Sequence, residues 1–310
     1  MRIMVTGASG FLGRHVVEAL AGIGAEVVPV SRRTGYDLRN EGDALSAMLV
    51  SRPDIVVHLA ATVGGIGANM ASPAVFFRDN MAMGMNMIEA AVKQRARLVM
   101  LGTVCSYPKD CPIPFKEESY WEGYPEPTNA PYGIAKKALH VMCKAYRDQY
   151  GLTYSYLVPC NLYGPGDNFN DQASHVIPAM IKRFVEAREQ KREQVHCWGT
   201  GKATRSFLYA PDAAKAIASA CATPMTHEGV INLPGTEEIA MSALAAMVAD
   251  ACRYTGRIEW DAHRPDGQPR RMVDGELAGK VLGWRPETSF KDGLRATVAW
   301  FEQTVGAMKA

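Results

Sequence analysis

The chain runs to 310 residues, of which 47% are hydrophobic and 21% charged, with a formal net charge of +2. That length supports one large or two intermediate domains around a well-buried core. The near-neutral charge gives no footing to nucleic acid or a membrane surface as partner, and no apolar run approaches the length that crosses a bilayer. The first residues, MRIMVTGASG, run straight into a buried-strand pattern, which on this reading leaves no room for a signal peptide. Seven cysteines (105, 111, 143, 160, 197, 221 and 252) are scattered without zinc-ligand spacing, so reduced thiols in a cytoplasmic protein and no metal site are expected.

Arg2–Thr6, Glu26–Val30, Ile55–Leu59 and Leu98–Gly102 are short runs of Val, Ile, Leu and Met without period-two alternation. Such runs suit strands buried on both faces of a parallel sheet. Amphipathic segments separate them: Phe11–Gly22, Glu41–Ser51, Pro73–Gln94 and Tyr132–Tyr150. The alternation predicts an α/β fold, a Rossmann-type doubly wound parallel sheet. Met81, Met83, Met85 and Met87 lie on one predicted helix, where core packing explains them better than ligation.

After a strand at Tyr154–Asn161 the rhythm changes to segments rich in Gly, Pro, Asn and Asp, followed by helical patterns at Ser174–Lys191 and Ser242–Tyr254. We read a smaller C-terminal α/β substrate domain from near Pro159, with Phe207–Ala222 returning to the first domain. The expected division is residues 1–158 with 206–232 for the cofactor, and 159–205 with 233–310 for the substrate.

Gly7, Gly10 and Gly13 punctuate the step from the first strand to the first helix. A glycine-rich turn lets the backbone approach a pyrophosphate, which then sits on the free N–H groups at the helix start. The spacing is G-x-x-G-x-x-G, and a purely structural turn is the alternative. At the end of the second strand stands Ser31-Arg32-Arg33, with no carboxylate to hold a ribose 2′-hydroxyl. Guanidinium groups pair well with phosphate, so NADP(H) is favoured over NAD, unless both arginines are merely solvated. Asp37 and Leu38 are candidates for contact with the adenine, a plain loop role being equally open.

Tyr132 and Lys136 are four apart and project from one helical face. A nearby ammonium favours phenolate and is expected to draw the tyrosine's pKa toward neutrality. The phenol can then exchange a proton with a carbonyl oxygen as hydride moves. Thr103, ending the preceding strand, places a hydroxyl where it would bind the same oxygen.

With these residues the chain resembles the extended short-chain dehydrogenases/reductases, and within them the GDP-L-fucose synthase family of 3,5-epimerase/4-reductases. The likeness spans almost the whole chain, through GGIGANMASPAVFFRDN, EPTNAPYGIAK, NLYGPGDNFN, SHVIPAMIKRF and WGTGKATRSFLY. That family normally has serine where this chain has Thr103, which keeps the hydroxyl and adds a methyl group.

The resemblance implies two further roles. Cys105 and His175 would remove and return protons at C-3 and C-5 of a 4-keto-sugar, acidic because the enolate spreads its charge onto the carbonyl oxygen. Cysteine in an electropositive site and histidine both titrate near neutral pH. Taken singly, the cysteine reads as a small core residue and the histidine as structural.

Gly7, Gly10, Phe11, Leu12, Gly13, Arg32, Arg33, Asp37, Leu38 and Ala60 are the expected contacts to the dinucleotide, joined by Tyr132, Lys136 and His175. Asn161 and Leu162, following the sixth strand, would line the nicotinamide pocket. For the nucleoside diphosphate of the sugar substrate, the matching candidates are Arg183, Trp198 and Arg205, with Arg270 or Arg271, Arg270 being preferred. A homodimer through Pro73–Gln94 and Tyr132–Tyr150 is also implied.

Two alternatives stand beside this reading. One is a 4-reductase or an epimerase alone, acting on another nucleotide sugar such as a heptose. The other is a non-catalytic NADP-binding sensor or scaffold, whose mark would be decay of the tyrosine–lysine pair. The base, the sugar and the number of inverted centres stay open at this level.

Overall fold

The computed structural model describes residues 1–171, 173–223, 227–264 and 266–309, the last five by backbone alone. The apolar runs of the first half become neighbours in one sheet, because strands with two greasy faces need a layer of helices on each side. In chain order these elements are β1 (Arg2–Thr6), α1 (Phe11–Gly22), β2 (Glu26–Val30), α2 (Glu41–Ser51), β3 (Ile55–His58), α3 (Ile66–Ala71), α4 (Pro73–Lys93), β4 (Arg97–Leu101), α5 (Ala130–Tyr150) and β5 (Tyr154–Pro159). The second half continues with β6 (Asn161–Tyr163), α6 (Val176–Glu189), β7 (Gln194–Trp198), β8 (Thr204–Tyr209), α7 (Ala210–Ala222) and β9 (Val230–Leu233). It closes with β10 (Glu238–Ala240), α8 (Met241–Ala251), β11 (Arg257–Asp261), β12 (Arg270–Arg271), α9 (Glu276–Leu282) and α10 (Phe290–Lys309).

The main sheet is six-stranded and parallel throughout, in the order β2-β1-β3-β4-β5-β9. Helices α1 and α7 pack together on one face, and α2, α4 and α5 on the other. The order reverses between β1 and β3, and in open α/β sheets ligands bind beyond the strand carboxyl ends at that point. Gly7 follows β1, Ala60 follows β3, Thr103 follows β4 and Asn161 follows β5, so one rim carries all four loops. The fold class expected from the sequence is observed.

The smaller sheet carries β10-β8-β12 with β6 beside β8, and β7 pairs with β11 separately. Two hydrophobic cores result, and β8 feeds both: Phe207 packs in the second, Leu208 in the first. The Phe207–Ala222 segment comprises the end of β8, which lies in the smaller sheet, and α7, which packs on α1; β9 completes the large sheet.

Several boundaries move for identifiable reasons. Helix α5 begins at Ala130 rather than Tyr132, because Pro131 is tolerated in a first turn whose N–H is unpaired in any case. Tyr132 therefore sits in the first turn of its helix. Asn161 and Leu162 do not follow the sixth strand; they belong to β6, directly after the fifth. Met83 and Met87 enter the core, whereas Met85 is exposed. Among the described residues no helix is long and apolar enough to cross a membrane.

Helices α4 and α5 approach closely at Gly84, where an added Cβ would lie 2.2 Å from Leu139 Cδ1. Gly84→Val is expected to lower stability by about 1–3 kcal/mol through overpacking, read as an earlier urea midpoint with an unchanged slope.

Candidate active site

The glycine turn is built from backbone contacts. Gly7 has φ +67°, and an added Cβ there would lie 2.9 Å from Ala60 N. At Gly13 an added Cβ would lie 2.2 Å from Gly7 O, so α1 can begin this close to the strand only without a side chain. Gly10 caps α1 with no side-chain hydrogen bond, and the first turn holds no acidic residue. The N–H groups of Phe11, Leu12 and Gly13 are thus left for an anion, and this cradle fits the pyrophosphate of a dinucleotide. Thr6 Oγ1 accepts hydrogen bonds from Leu59 N and Ala60 N, both at 3.1 Å, which ties the ends of β1 and β3 together.

Beyond β2, Arg32 and Arg33 begin a short turn closed by Ser31 and Thr34. Both arginines are exposed, and neither guanidinium has an ion pair or hydrogen bond among the described residues. Asp37 is instead held by Arg39 (Nε–Oδ1 2.9 Å), which lowers its carboxyl pKa to about 2. Leu38 is a core residue. The adenine role considered for this pair therefore has a carboxylate already engaged and a side chain already packed.

Around Tyr132 the contacts are dense. Helix α5 lies directly on the turn after β4: an added Cβ on Gly133 would come within 2.3 Å of Cys105 O. Ser106 Oγ donates to Gly133 O at 2.8 Å, and Cys105 N donates to Thr103 Oγ1 at 3.2 Å. Thr103 and Cys105 are the polar neighbours that act on the Tyr132 phenol. Phe76 of α4 meets the phenol ring edge-on, with centroids 6.3 Å apart.

Burial decides the titration here. It pushes the Tyr132 phenol well above its ordinary value; Cys105 adds to the rise, and the Thr103 hydrogen bond opposes it. Lys136 is itself buried, and desolvation lowers its pKa to about 8. The expected pull of Lys136 on the phenol is not among the influences on it; desolvation is the largest of them. The lysine's charge acts instead on His58, whose pKa falls to about 3 through burial and Lys136. Since Thr6 Oγ1 accepts from two backbone N–H groups, its proton goes to His58 Nδ1, 2.9 Å away.

His175 caps α6 at the end of the loop after β6. It reaches solvent, yet the surrounding atoms desolvate its ring enough to lower its pKa. The preceding turn packs on the Gly64-Gly65 step after β3. A Cβ on Gly65 would lie 2.7 Å from Ser174 O, and one on Gly64 would meet both Ala173 O and Phe76 Cζ at 3.4 Å. Phe76 touches Tyr132, so one chain of contacts joins the His175 turn to the catalytic tyrosine candidate.

Of the arginines, Arg205 and Arg271 are both buried, and neither forms an ion pair among the described residues. Burial and the charge of Arg271 lower the Arg205 pKa to about 10. Arg271 Nη1 lies 3.5 Å from Cys105 Sγ. Arg270, the preferred candidate, lies at the surface and pairs with Glu238 (2.6 Å), whereas Arg271 is the buried one of the two. Adjacent residues on an extended backbone face opposite sides, and sequence alone leaves open which one faces in. Arg183 Nη1 donates to His196 O at 2.7 Å. Trp198, at the end of β7, is 58% exposed, with the Arg264 guanidinium 5.0 Å from its ring centre. Asn161 Nδ2 donates to Ser206 O at 3.0 Å, and Leu162 packs against the first core. Among the described residues no cluster of His, Cys, Asp and Glu could hold a metal ion.

Comparison with known proteins gives this geometry a context. The NAD dependent epimerase/dehydratase family matches residues 3–233. The chain is similar to GDP-L-fucose synthase 1 of Arabidopsis thaliana, 36% identical over 308 residues, which span 98% of this chain and 94% of the relative. Among solved structures it resembles a GDP-L-fucose synthetase from Naegleria fowleri bound to NADP, with TM-score 0.89 and 27% identity, covering 98% and 93% of the two chains. It equally resembles a GDP-6-OMe-4-keto-L-xylo-heptose reductase from C. jejuni, with TM-score 0.89 and 26% identity, covering 97% of each.

The buried lysine yields a test of sign. Below a pH near 8 the folded chain holds a desolvated ammonium at full cost; as pH rises from about 8 toward the ordinary 10.5, the folded lysine sheds its proton and the cost fades. Lys136→Met is therefore expected to melt higher than wild type at neutral pH, by about 2–4 °C per kcal/mol gained. Thermal melts across pH should show that advantage shrinking above pH 8.

Proposed function

Because the chain belongs to the NAD dependent epimerase/dehydratase family, as a nucleotide-sugar epimerase/reductase, we propose that it converts GDP-4-keto-6-deoxy-mannose by 3,5-epimerisation and then 4-reduction, as a GDP-L-fucose synthase does. One observation carries this reading: Cys105 meets Thr103 through its backbone N–H and Arg271 through its Sγ, Thr103 and Cys105 both act on the Tyr132 phenol, and the buried Arg205 lies beside them. A hydroxyl, a thiol, a phenol and unpaired positive charge together suit a carbonyl sugar tethered to a diphosphate.

In the first stage Cys105 takes the proton from the carbon next to the carbonyl. The C–H electron pair moves onto the carbonyl oxygen, which the hydroxyls of Thr103 and Tyr132 receive. His175 returns a proton from the opposite face. In the second stage Tyr132 gives its phenol proton to the sugar oxygen as C-4 is reduced, and its raised pKa keeps that proton in place until the oxygen becomes basic. The Gly7–Gly13 turn would hold the pyrophosphate of NADPH and Arg32 and Arg33 its 2′-phosphate, and the bound cofactor would supply the hydride. Arg183 and Arg205 hold the sugar's diphosphate, Arg271 faces the Cys105 thiol, and Trp198 offers a face for the base. We further propose the division into cofactor residues 1–158 with 206–232 and substrate residues 159–205 with 233–310. The exposed Phe77, Met85 and Val141 of α4 and α5 support a homodimer through those helices.

The likeness to the heptose reductase favours a second reading, reduction at C-4 without inversion. Turnover of the keto-sugar in deuterated water separates the two. The first reading requires deuterium at C-3 and C-5 of the product, lost in Cys105→Ser by roughly 100-fold, while Tyr132→Phe cuts NADPH oxidation by about 100-fold or more. Unlabelled product from wild type would establish the second reading. Replacing Arg32 and Arg33 by Glu should weaken NADPH binding by about tenfold or more while sparing NADH, measured by fluorescence titration.

A further inference from the structure

The contact between Arg271 and Cys105 asks for a reason. Arg271 is 8% exposed and has no carboxylate partner among the described residues. Burying a guanidinium without a counter-charge is costly, so a chain that does so gains something from the free charge. The side chain is also fixed. Its Nε donates to Gln268 Oε1 at 3.1 Å, and Gln268 Nε2 donates in turn to Lys109 O at 2.7 Å and Pro108 O at 3.4 Å. Gln268 is itself buried, 6% exposed. The amide thus staples β12 to the segment that follows the Cys105 turn, and the remaining reach of the guanidinium ends on Sγ at 3.5 Å.

We propose that Arg271 is a positioning residue for the thiol: its guanidinium holds Cys105 as the thiolate that accepts the sugar proton, and Gln268 fixes the guanidinium for that purpose. The inference rests on the epimerase reading and assigns the charge that reading needs. The thiol proton leaves to solvent before reaction, and the thiolate is paired with Arg271. When the sugar carbon is deprotonated, the S–H bond forms as the C–H bond breaks, and the freed pair goes to the carbonyl oxygen. Arg271 keeps its proton throughout. Other groups facing the thiol are the Tyr132 phenol from α5 and the Arg205 guanidinium from β8, both coupled to Cys105 electrostatically. Tyr132 is uncharged at neutral pH, and the carboxylates of Asp266 and Glu126 act on Arg205, so Arg271 is the guanidinium that meets the thiol without a carboxylate partner among the described residues.

Thiolate is the form that alkylating reagents attack, so labelling reads the pair without any sugar. Iodoacetamide labelling at neutral pH, followed by peptide mass spectrometry, gives the rate at Cys105, with Cys111, the other part-exposed thiol, as internal control. Removing a neighbouring opposite charge changes the ionised fraction by about tenfold or more. Arg271→Gln is therefore expected to slow Cys105 labelling by that factor and leave Cys111 unchanged. Arg271→Lys should recover part of the rate, and Gln268→Leu, which keeps the charge but frees it, should fall between. A Cys105 rate in Arg271→Gln equal to wild type overturns the proposal, as does a loss shared by Cys111. Deuterium wash-in is scored separately: its absence in wild type, with Cys105 labelling still dependent on Arg271, removes the epimerase reading and leaves the pair.

Discussion

The catalytic corner depends on a backbone meeting a backbone, Gly133 against the carbonyl of Cys105. With no side chain between them, α5 lies flush on the turn after β4, and the Ser106 hydroxyl locks the two by donating to Gly133 O. That one approach brings a phenol from a helix to a hydroxyl and a thiol from a strand end. It also sets the candidate residues in the first turn of α5, where the helix lies against the turn after β4. Any side chain at 133 would lift the helix and separate Tyr132 from Thr103 while leaving the sheet intact.

Electrostatically the site is poor in acid. Lys136, Arg205 and Arg271 are buried without ion pairs among the described residues, and desolvation lowers the pKa values of Lys136 and Arg205. The folded chain bears that cost because an anionic ligand would relieve it, a diphosphate at one end and an enolate or thiolate at the other. The same burial raises the Tyr132 phenol and neutralises His58, so the proton needed for reduction and the charge needed for binding are held by different groups.

The sheet and the cofactor turn were legible because buried parallel strands and glycine turns are written in consecutive residues. Arg2–Thr6, Phe11–Gly22, Glu26–Val30 and Glu41–Ser51 are observed with the expected bounds. The parts that escaped are relations between distant segments. Nothing local marks Gly65 as the residue on which the Ser174 turn rests, or Gln268 as the staple of Arg271. The choice between Arg270 and Arg271 hung on the phase of a two-residue strand, too short for periodicity to fix. Tyr132 with Lys136 was recognisable by spacing, but its titration was not: spacing shows a neighbouring charge and is silent on burial. Gly133 could have been noticed, since a glycine inside an otherwise strong helical pattern signals a close approach.

The two edges of the large sheet are closed by different means. On one side β2 carries Pro29, which has no N–H to offer a further strand. On the other, Glu117 Oε1 accepts from the outward N–H of Asn232 in β9 at 3.0 Å, and α9 packs over the same strand. An exposed strand edge is a template for runaway stacking of chains into fibrils. With one N–H missing at Pro29 and another occupied at Asn232 by a carboxylate, each border offers a neighbouring chain a broken row of partners, which lessens the hazard of aggregation.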